Sequence, residues 1–506
     1  MKPAFACNML PPMNRRRLLQ SAAVALCPAS CAKQHRAPLP YATLDELSAM
    51  LKAEHTTPLL LVEHCLERIA QIDKSGPQIN AVIELNPAAK ALAAACPPGL
   101  LHGLPILIKD NIETADAMQT TAGSLALRDH KPQHDAALVT RLREAGAIIL
   151  GKSNLSEWAN IRSPNSTSGW SARGGLTRNP HLLTHSASGS SSGSAAAVAA
   201  GLAPAAIGTE TNGSIVSPAS ACGIVGFKPT VGLIGGSGII PITHWQDTAG
   251  PMTLTVKDAA LLMQVLAAGF TVDLKPDALK GARLGVVRSQ CGKNTQVLAL
   301  FEIALQKLRE AGAIIIDPVR LPNTGAAGGF SWQAMLIELR RDLNAYLEQR
   351  GGDVRSLAEL IAFNEKHREA EMPHFAQEFF EQSEKLSTPE IIAEGAELRE
   401  KARRLAGPEG IDAALQSHQL DALICPTNDP IGPINLERGD TDARVASPPA
   451  AVAGYPHLTV PLGFVDALPI GFSFMGTANA DARILSLGHA FEQLTQARRA
   501  PEFRKT

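Results

Sequence analysis

The sequence predicts an α/β fold in which helices cover both faces of a large central mixed β-sheet, and three observations lead to it. Leu142-Arg-Glu-Ala-Gly-Ala-Ile-Ile-Leu150 and Leu308-Arg-Glu-Ala-Gly-Ala-Ile-Ile-Ile316 are nearly the same helix-Gly-strand unit, as expected of two αβ units feeding one sheet. The runs 105–108, 283–287 and 422–425 are short and aliphatic, the pattern of strands buried on both faces. The chain has 506 residues, 45% of them hydrophobic, enough for a large core. No apolar run reaches the roughly 20 residues that span a bilayer. Lys and Arg number 47 against 48 Asp and Glu, so a net charge of −1 offers no basic field for a nucleic acid and no polybasic membrane patch.

The elements follow in order. Residues 1–32 carry export-signal grammar: the cluster Arg15-Arg16-Arg17 precedes an apolar stretch, Leu18 to Cys31, that ends in small residues. Arg-Arg-x-Leu-Leu-Gln resembles a twin-arginine signal, with Met13 as an alternative start. Ser30-Cys31-Ala32 fits cleavage after Ala32, and Ala29-Ser30-Cys31 is an imperfect lipobox. The expectation is therefore an exported, periplasmic protein, with a lipid anchor at Cys31 as second choice. Thr43-Leu-Asp-Glu46 has capping-box spacing, and Thr57-Pro58 opens a helix through Ile72. Asp135 to Ala145 reads as an amphipathic helix stopped by Gly146, followed by a strand at 147–150. The stretch from about 324 to 405 is helical in pattern and rich in charge, with Phe330, Trp332, Phe375, Phe379 and Phe380. It reads as a helical insertion whose aromatics form local core. The rest of 33–506 reads as a single domain. The eight cysteines show no C-x-x-C pair and no metal-ligand spacing, so they imply neither a disulfide framework nor a metal site.

The segment from Ser186 to Ser220, SASGSSSGSAAAVAAGLAPAAIGTETNGSIVSPAS, carries the chemistry. Gly/Ser-rich stretches are usually linkers, but this one runs into a small-residue helix, 195–200, capped by Ser194 and stopped by Gly201. Such a loop presents backbone N–H groups and a positive dipole end. A strand at 205–208 and a polar turn from Thr209 to Gly213 then lead to Ser214, where the neighbouring glycine lets the main chain approach a reacting carbonyl. A serine nucleophile needs a base. No G-x-S-x-G elbow is present, and His185, the histidine nearest the loop, has no context that marks it as one. The other candidate is Lys109, at the end of an aliphatic strand where burial favours the neutral amine. Taken by itself, the strand favours the plainer reading of Lys109 as a surface lysine paired with Asp110.

Lys109 in LHGLPILIKDN, Ser190 in SGSSSGSAAA and Ser214 in GTETNGSIVSP resemble the Lys, cis-Ser and nucleophilic Ser of the amidase signature family. Thr120-Thr-Ala-Gly-Ser124, Arg178-Asn-Pro180, the segment 222–230, Asp247-Thr-Ala-Gly-Pro251, Ala451-Val-Ala-Gly-Tyr-Pro456 and the segment 471–476 stand in family order, so the resemblance covers about 40–495. Within the family, 171–175 and the serine loops are similar to those of bacterial peptide amidases. The resemblance implies the amidase-signature fold and a serine hydrolase acting on a small-molecule or peptide amide, with no cofactor or metal. Lys109, Ser190 and Ser214 would be catalytic, and the N–H groups of Thr211, Asn212, Gly213 and Ser214 would face the oxyanion. The chain departs from the commoner family loops at Ser188, Ser192 and Asn212, in place of glycines, and at Val216, in place of arginine. Asn212 is expected to keep a glycine-like left-handed turn. Val216 argues against an amidotransferase component. The competing expectations are a broad aliphatic or aryl amide hydrolase, a subunit of a tRNA-dependent amidotransferase, and a noncatalytic exported binding protein.

Overall fold

The computed structural model describes residues 40–440 and 444–506, so the leader motif and the cysteines within it lie outside the described residues. Eleven strands form one mixed sheet: β1 (Val82–Leu85), β2 (Pro105–Lys109), β3 (Ile148–Ser153), β4 (Ala205–Glu210), β5 (Val225–Lys228), β6 (Thr248–Thr253), β7 (Arg283–Val286), β8 (Ile314–Ile316), β9 (Ala422–Pro426), β10 (His457–Val465) and β11 (Leu468–Met475). Their spatial order is β1-β3-β2-β4-β6-β5-β10-β11-β9-β7-β8. Strands β3, β2 and β4 are mutually parallel, as are β9, β7 and β8, and antiparallel pairs join these two groups. The two repeated units thus reach opposite ends of one sheet. In both, the helix stops before a glycine in the left-handed region, Gly146 at φ +87° and Gly312 at φ +88°, where a side chain would strain the turn.

Two-residue periodicity divides the core. Ile106, Ile108, Ile149, Ala205 and Ile207 belong to one apolar cluster. Their strand neighbours Leu107, Ile148, Leu150 and Ala206 belong to another. Successive strand side chains point to opposite faces, so the sheet is buried on both sides. Helices Leu44–Lys52, Ala137–Glu144, Val256–Leu266, Thr295–Glu310 and Asp481–Thr495 cover the first face, and Pro58–Arg68, Ala89–Ala94 and Ser192–Ala199 cover the second. The Thr43/Glu46 capping box is formed, and Thr57 caps the helix that opens on Pro58. That helix passes at Ile69 into a π-helical turn ending at Asp73, one residue beyond the expected Ile72.

Five helices lie between Thr324 and Ala406. Their Leu339, Leu343, Leu357 and Phe380 bury against Ala122, Trp158, Ile161 and Ile240, which belong to loops after β2, β3 and β5. The aromatics here are mainly core: Phe380 packs edge-on against Trp158, and Phe375 against Trp170. Trp332 is partly exposed over Phe379. Cys65, Cys222, Cys291 and Cys425 are buried free thiols. Among the described residues no helix is long and apolar enough to cross a membrane.

Gly193 is among the positions in this frame that leave no room for a side chain. Gly193, in the helix Ser192–Ala199, lies so close to neighbouring backbone that an added Cβ would meet Ala81 O at 2.3 Å and Asn154 O at 2.4 Å. Two strand-end segments would have to move apart, and overpacking of this kind costs about 3 kcal/mol. Gly193→Ala is expected to lower the thermal midpoint by several degrees, and an unchanged midpoint would contradict this packing.

Candidate active site

The site is assembled where parallel strands β2 and β4 end, the edge at which α/β sheets commonly place ligands. Lys109 is the last residue of β2 and is wholly buried. Its Nζ lies 2.8 Å from Ser190 Oγ, 2.9 Å from Thr209 Oγ1 and 3.2 Å from Thr209 O. Asn111 Nδ2 donates to the same Thr209 hydroxyl at 3.0 Å. The reading of Lys109 as a surface lysine paired with Asp110 is overturned, because Asp110 turns to Arg173 and accepts from Thr121. Burial disfavours the ammonium and pushes Lys109 down to about 7, against the opposing pull of the Asp247 and Glu210 carboxylates. A neutral amine has two hydrogens and one lone pair. The two Thr209 oxygens can take the hydrogens, which leaves the lone pair for the Ser190 hydroxyl.

Ser190 belongs to the loop before the helix Ser192–Ala199, and the Gly189–Ser190 peptide is cis. That helix begins earlier than expected and Ser194 is not its cap, since the Ser194 hydroxyl bonds Ser153 Oγ at 2.7 Å. The loop is laced to its surroundings. Ser191 Oγ donates to Thr209 O at 3.0 Å and accepts from Thr209 N at 3.2 Å, while Ser191 N donates to Ser214 O at 3.1 Å. Ser188 and Ser192 use the hydroxyls that glycines would lack: Ser188 Oγ pairs with Ser217 Oγ at 2.8 Å, and Ser192 Oγ donates to Ser188 O at 2.5 Å.

Thr211 to Ser214 follow β4 and precede the helix Val216–Ala221. Glu210 accepts from Ile215 N at 2.8 Å and from Val216 N at 3.0 Å, so its carboxylate occupies the N-terminal donors of that helix. The N–H groups of Asn212, Gly213 and Ser214 have no hydrogen-bond acceptor among the described residues. The expected left-handed turn at Asn212 is displaced by one residue, because Gly213 takes φ +85° and Asn212 is not left-handed. Asn212 is exposed, and its Oδ1 accepts from Ser447 Oγ at 2.7 Å. Thr211 Oγ1 donates to Asp247 Oδ1 at 2.5 Å. Val216 is fully buried.

Lys109 and Ser190 therefore meet directly, and Ser214 is tied by its main-chain carbonyl to Ser191, the residue next to Ser190, with no hydrogen bond between the Ser214 and Ser190 hydroxyls among the described residues. His185 bonds Thr184 Oγ1 and makes no hydrogen bond to Ser190 or Ser214 among the described residues. None of Thr209, Glu210, Gln246 and Asp247 is expected from the sequence as a site residue; Thr209 and Glu210 stand in the motif around Ser214 and Asp247 opens another, whereas Gln246 carries no sequence signal. No group of three or more His, Cys, Asp or Glu side chains able to hold a metal occurs among the described residues.

A family model described as Amidase matches residues 61–485. The chain belongs to the amidase signature family. It is an amide-hydrolysing enzyme of that family. The peptide amidase of Stenotrophomonas maltophilia is 47% identical, with a TM-score of 0.87 over 92% of this chain and 100% of that one. An Arabidopsis thaliana protein described as a probable amidase is 35% identical over 91% of each chain. A glutamyl-tRNA(Gln) amidotransferase subunit from Symbiobacterium thermophilum is 33% identical over 89% of this amidase and 96% of its own length.

Proposed function

We propose that this amidase removes the C-terminal carboxamide of peptide amides through an acyl-enzyme on Ser214. The observation that carries the reading is the buried Lys109 amine 2.8 Å from Ser190 Oγ, in a chain 47% identical to a peptide amidase. Neutral Lys109 draws the proton of Ser190, Ser190 draws that of Ser214, and Ser214 Oγ attacks the carboxamide carbon. The negative oxygen faces the N–H groups of the 211–214 loop, each donor typically worth about 3 kcal/mol in the transition state. The proton returns through Ser190 to the nitrogen, the C–N bond breaks and ammonia leaves. Water then adds to the ester by the same relay, giving the free carboxylate and restoring Ser214. Thr209 holds the two amine hydrogens of Lys109 and so aims its lone pair.

Fully buried Val216, where the family more often has arginine, separates the chain from the amidotransferase-type loop and favours a free hydrolase. The leader motif carries the accompanying proposal that the enzyme works outside the cytoplasm. Purified enzyme given an N-acylated dipeptide amide, a fatty amide and an aryl amide is expected to release ammonia fastest from the peptide amide, by at least tenfold in kcat/KM. A faster fatty or aryl amide would replace the peptide reading with that of a broad amide hydrolase.

A further inference from the structure

The 211–214 loop is tied to the helices between Thr324 and Ala406 through one buried side chain, Gln246. Gln246 Nε2 donates to Thr211 O at 2.8 Å. Its Oε1 accepts from Arg399 Nη1 at 2.7 Å and from Ser331 Oγ at 2.9 Å. Arg399 is in turn held by Glu338 at 2.8 Å, and Glu338 also accepts from Thr243 Oγ1 at 2.6 Å. All four side chains, Gln246, Ser331, Glu338 and Arg399, are buried. The network leaves the amide only one orientation. A reversed Gln246 would set its NH2 against the Arg399 guanidinium, donor against donor, and its oxygen against the Thr211 carbonyl.

That orientation has a consequence on the other side of the peptide plane. In a trans peptide the C=O of one residue and the N–H of the next point in opposite directions. Holding Thr211 O toward Gln246 therefore sends Asn212 N–H away from Gln246, and that N–H has no acceptor among the described residues. Asp247, the next residue, holds the Thr211 hydroxyl and accepts from Ile242 N and Thr243 N, so residue 211 is gripped from both its side chain and its carbonyl.

We infer that Gln246 is a positioning residue that locks the Thr211–Asn212 peptide with Asn212 N–H presented to the reacting carbonyl oxygen, and that the Arg399–Glu338 pair holds Gln246 in that role. The inference rests on the proposal that the 211–214 loop stabilises the oxyanion. Peptide rotation would exchange a donor for a carbonyl oxygen at that point, which penalises the transition state while leaving ground-state binding nearly unchanged.

Gln246→Glu keeps the acceptor for Arg399 and Ser331 but opposes a carboxylate to Thr211 O. With a peptide amide, kcat is expected to fall at least 100-fold while KM changes less than threefold. Affinity for a C-terminal peptide aldehyde, whose adduct carries the same oxyanion, is expected to fall in parallel. Should this variant not fold, Gln246→Ala is carried through the same measurements with the same expected pattern. A merely structural role lowers the thermal midpoint and leaves kcat per titrated active site within threefold of the parent, and that result overturns the inference. Loss of kcat with unchanged aldehyde affinity overturns it as well. Ser214→Ala in the same assay separates the two levels: if it still turns over, the acyl-enzyme proposal fails, and if it is inactive while Gln246→Glu is fully active, only the role of Gln246 fails.

Discussion

Ser214→Ala is expected to abolish amide hydrolysis, lowering kcat by on the order of 10⁴ to 10⁶, as loss of a serine nucleophile does elsewhere. The change removes one oxygen from a side chain that the fold does not depend on. Ser214 contributes its main-chain carbonyl to Ser191 N, and alanine keeps that bond. The variant should therefore fold with an unchanged thermal midpoint and still bind a peptide amide with near-parent affinity. A fluorophosphonate should label the parent and not the variant. Turnover within tenfold of the parent in a folded variant would remove Ser214 from the reaction.

Lys109→Met should be almost as damaging, with kcat/KM falling by about 10³ or more, because proton transfer to a positioned base supplies 10² to 10⁴ and the Ser190 relay then ends without one. Met fills the space of the lysine stem, so the loss would not come from a cavity. The parent should also show its base in a pH profile. With Lys109 at about 7, only the neutral amine can accept a proton, so kcat/KM is expected to rise with pH through about 7 and then level. An acid limb well below pH 6 would point to another base.

The same burial makes a stability prediction of definite sign. The folded-state pKa lies below that of an exposed lysine, so between about 7 and the ordinary lysine value of 10.5 the unfolded chain binds more protons than the folded one. The contribution of Lys109 therefore makes the parent more stable as pH rises through that window. Below about 7 both states are protonated, and the full cost of burying the ammonium is present. In Lys109→Met this component should vanish. Denaturant titrations of parent and variant from pH 7 to 10 would show it as a difference in slope.

Much of this is legible in the chain because it is local. Strands buried on both faces announce themselves as unbroken aliphatic runs, and the helix-Gly-strand units are repeated almost letter for letter. The Thr43 capping box needs only residues three apart, and it forms as expected. Departures fall where local rules compete. The Gly/Ser loop offers several serines as helix caps, and the pattern points to Ser194, whereas the helix starts at Ser192. Asn212 and Gly213 both tolerate a left-handed turn, and the glycine takes it, as the lower steric cost dictates.

What the sequence by itself determined was the kind of fold, the family and the chemical vocabulary, namely a lysine closing an aliphatic strand and two serines in small-residue loops. Whether that lysine stood at the surface beside Asp110 or lay buried against Ser190 was decided only by tertiary structure. Ser190 and Thr209, 81 and 100 residues downstream, enclose it, and Asp110 is claimed by Arg173, 63 residues away. The grip on Thr211 is less local still, reaching through Gln246 to an arginine 153 residues further on. Hydrogen bonds of that reach leave no periodicity in the chain. They exist because a low-dielectric interior requires each buried polar group to find a partner, and which partner is within reach is settled by how the sheet and the helices over its edge come together.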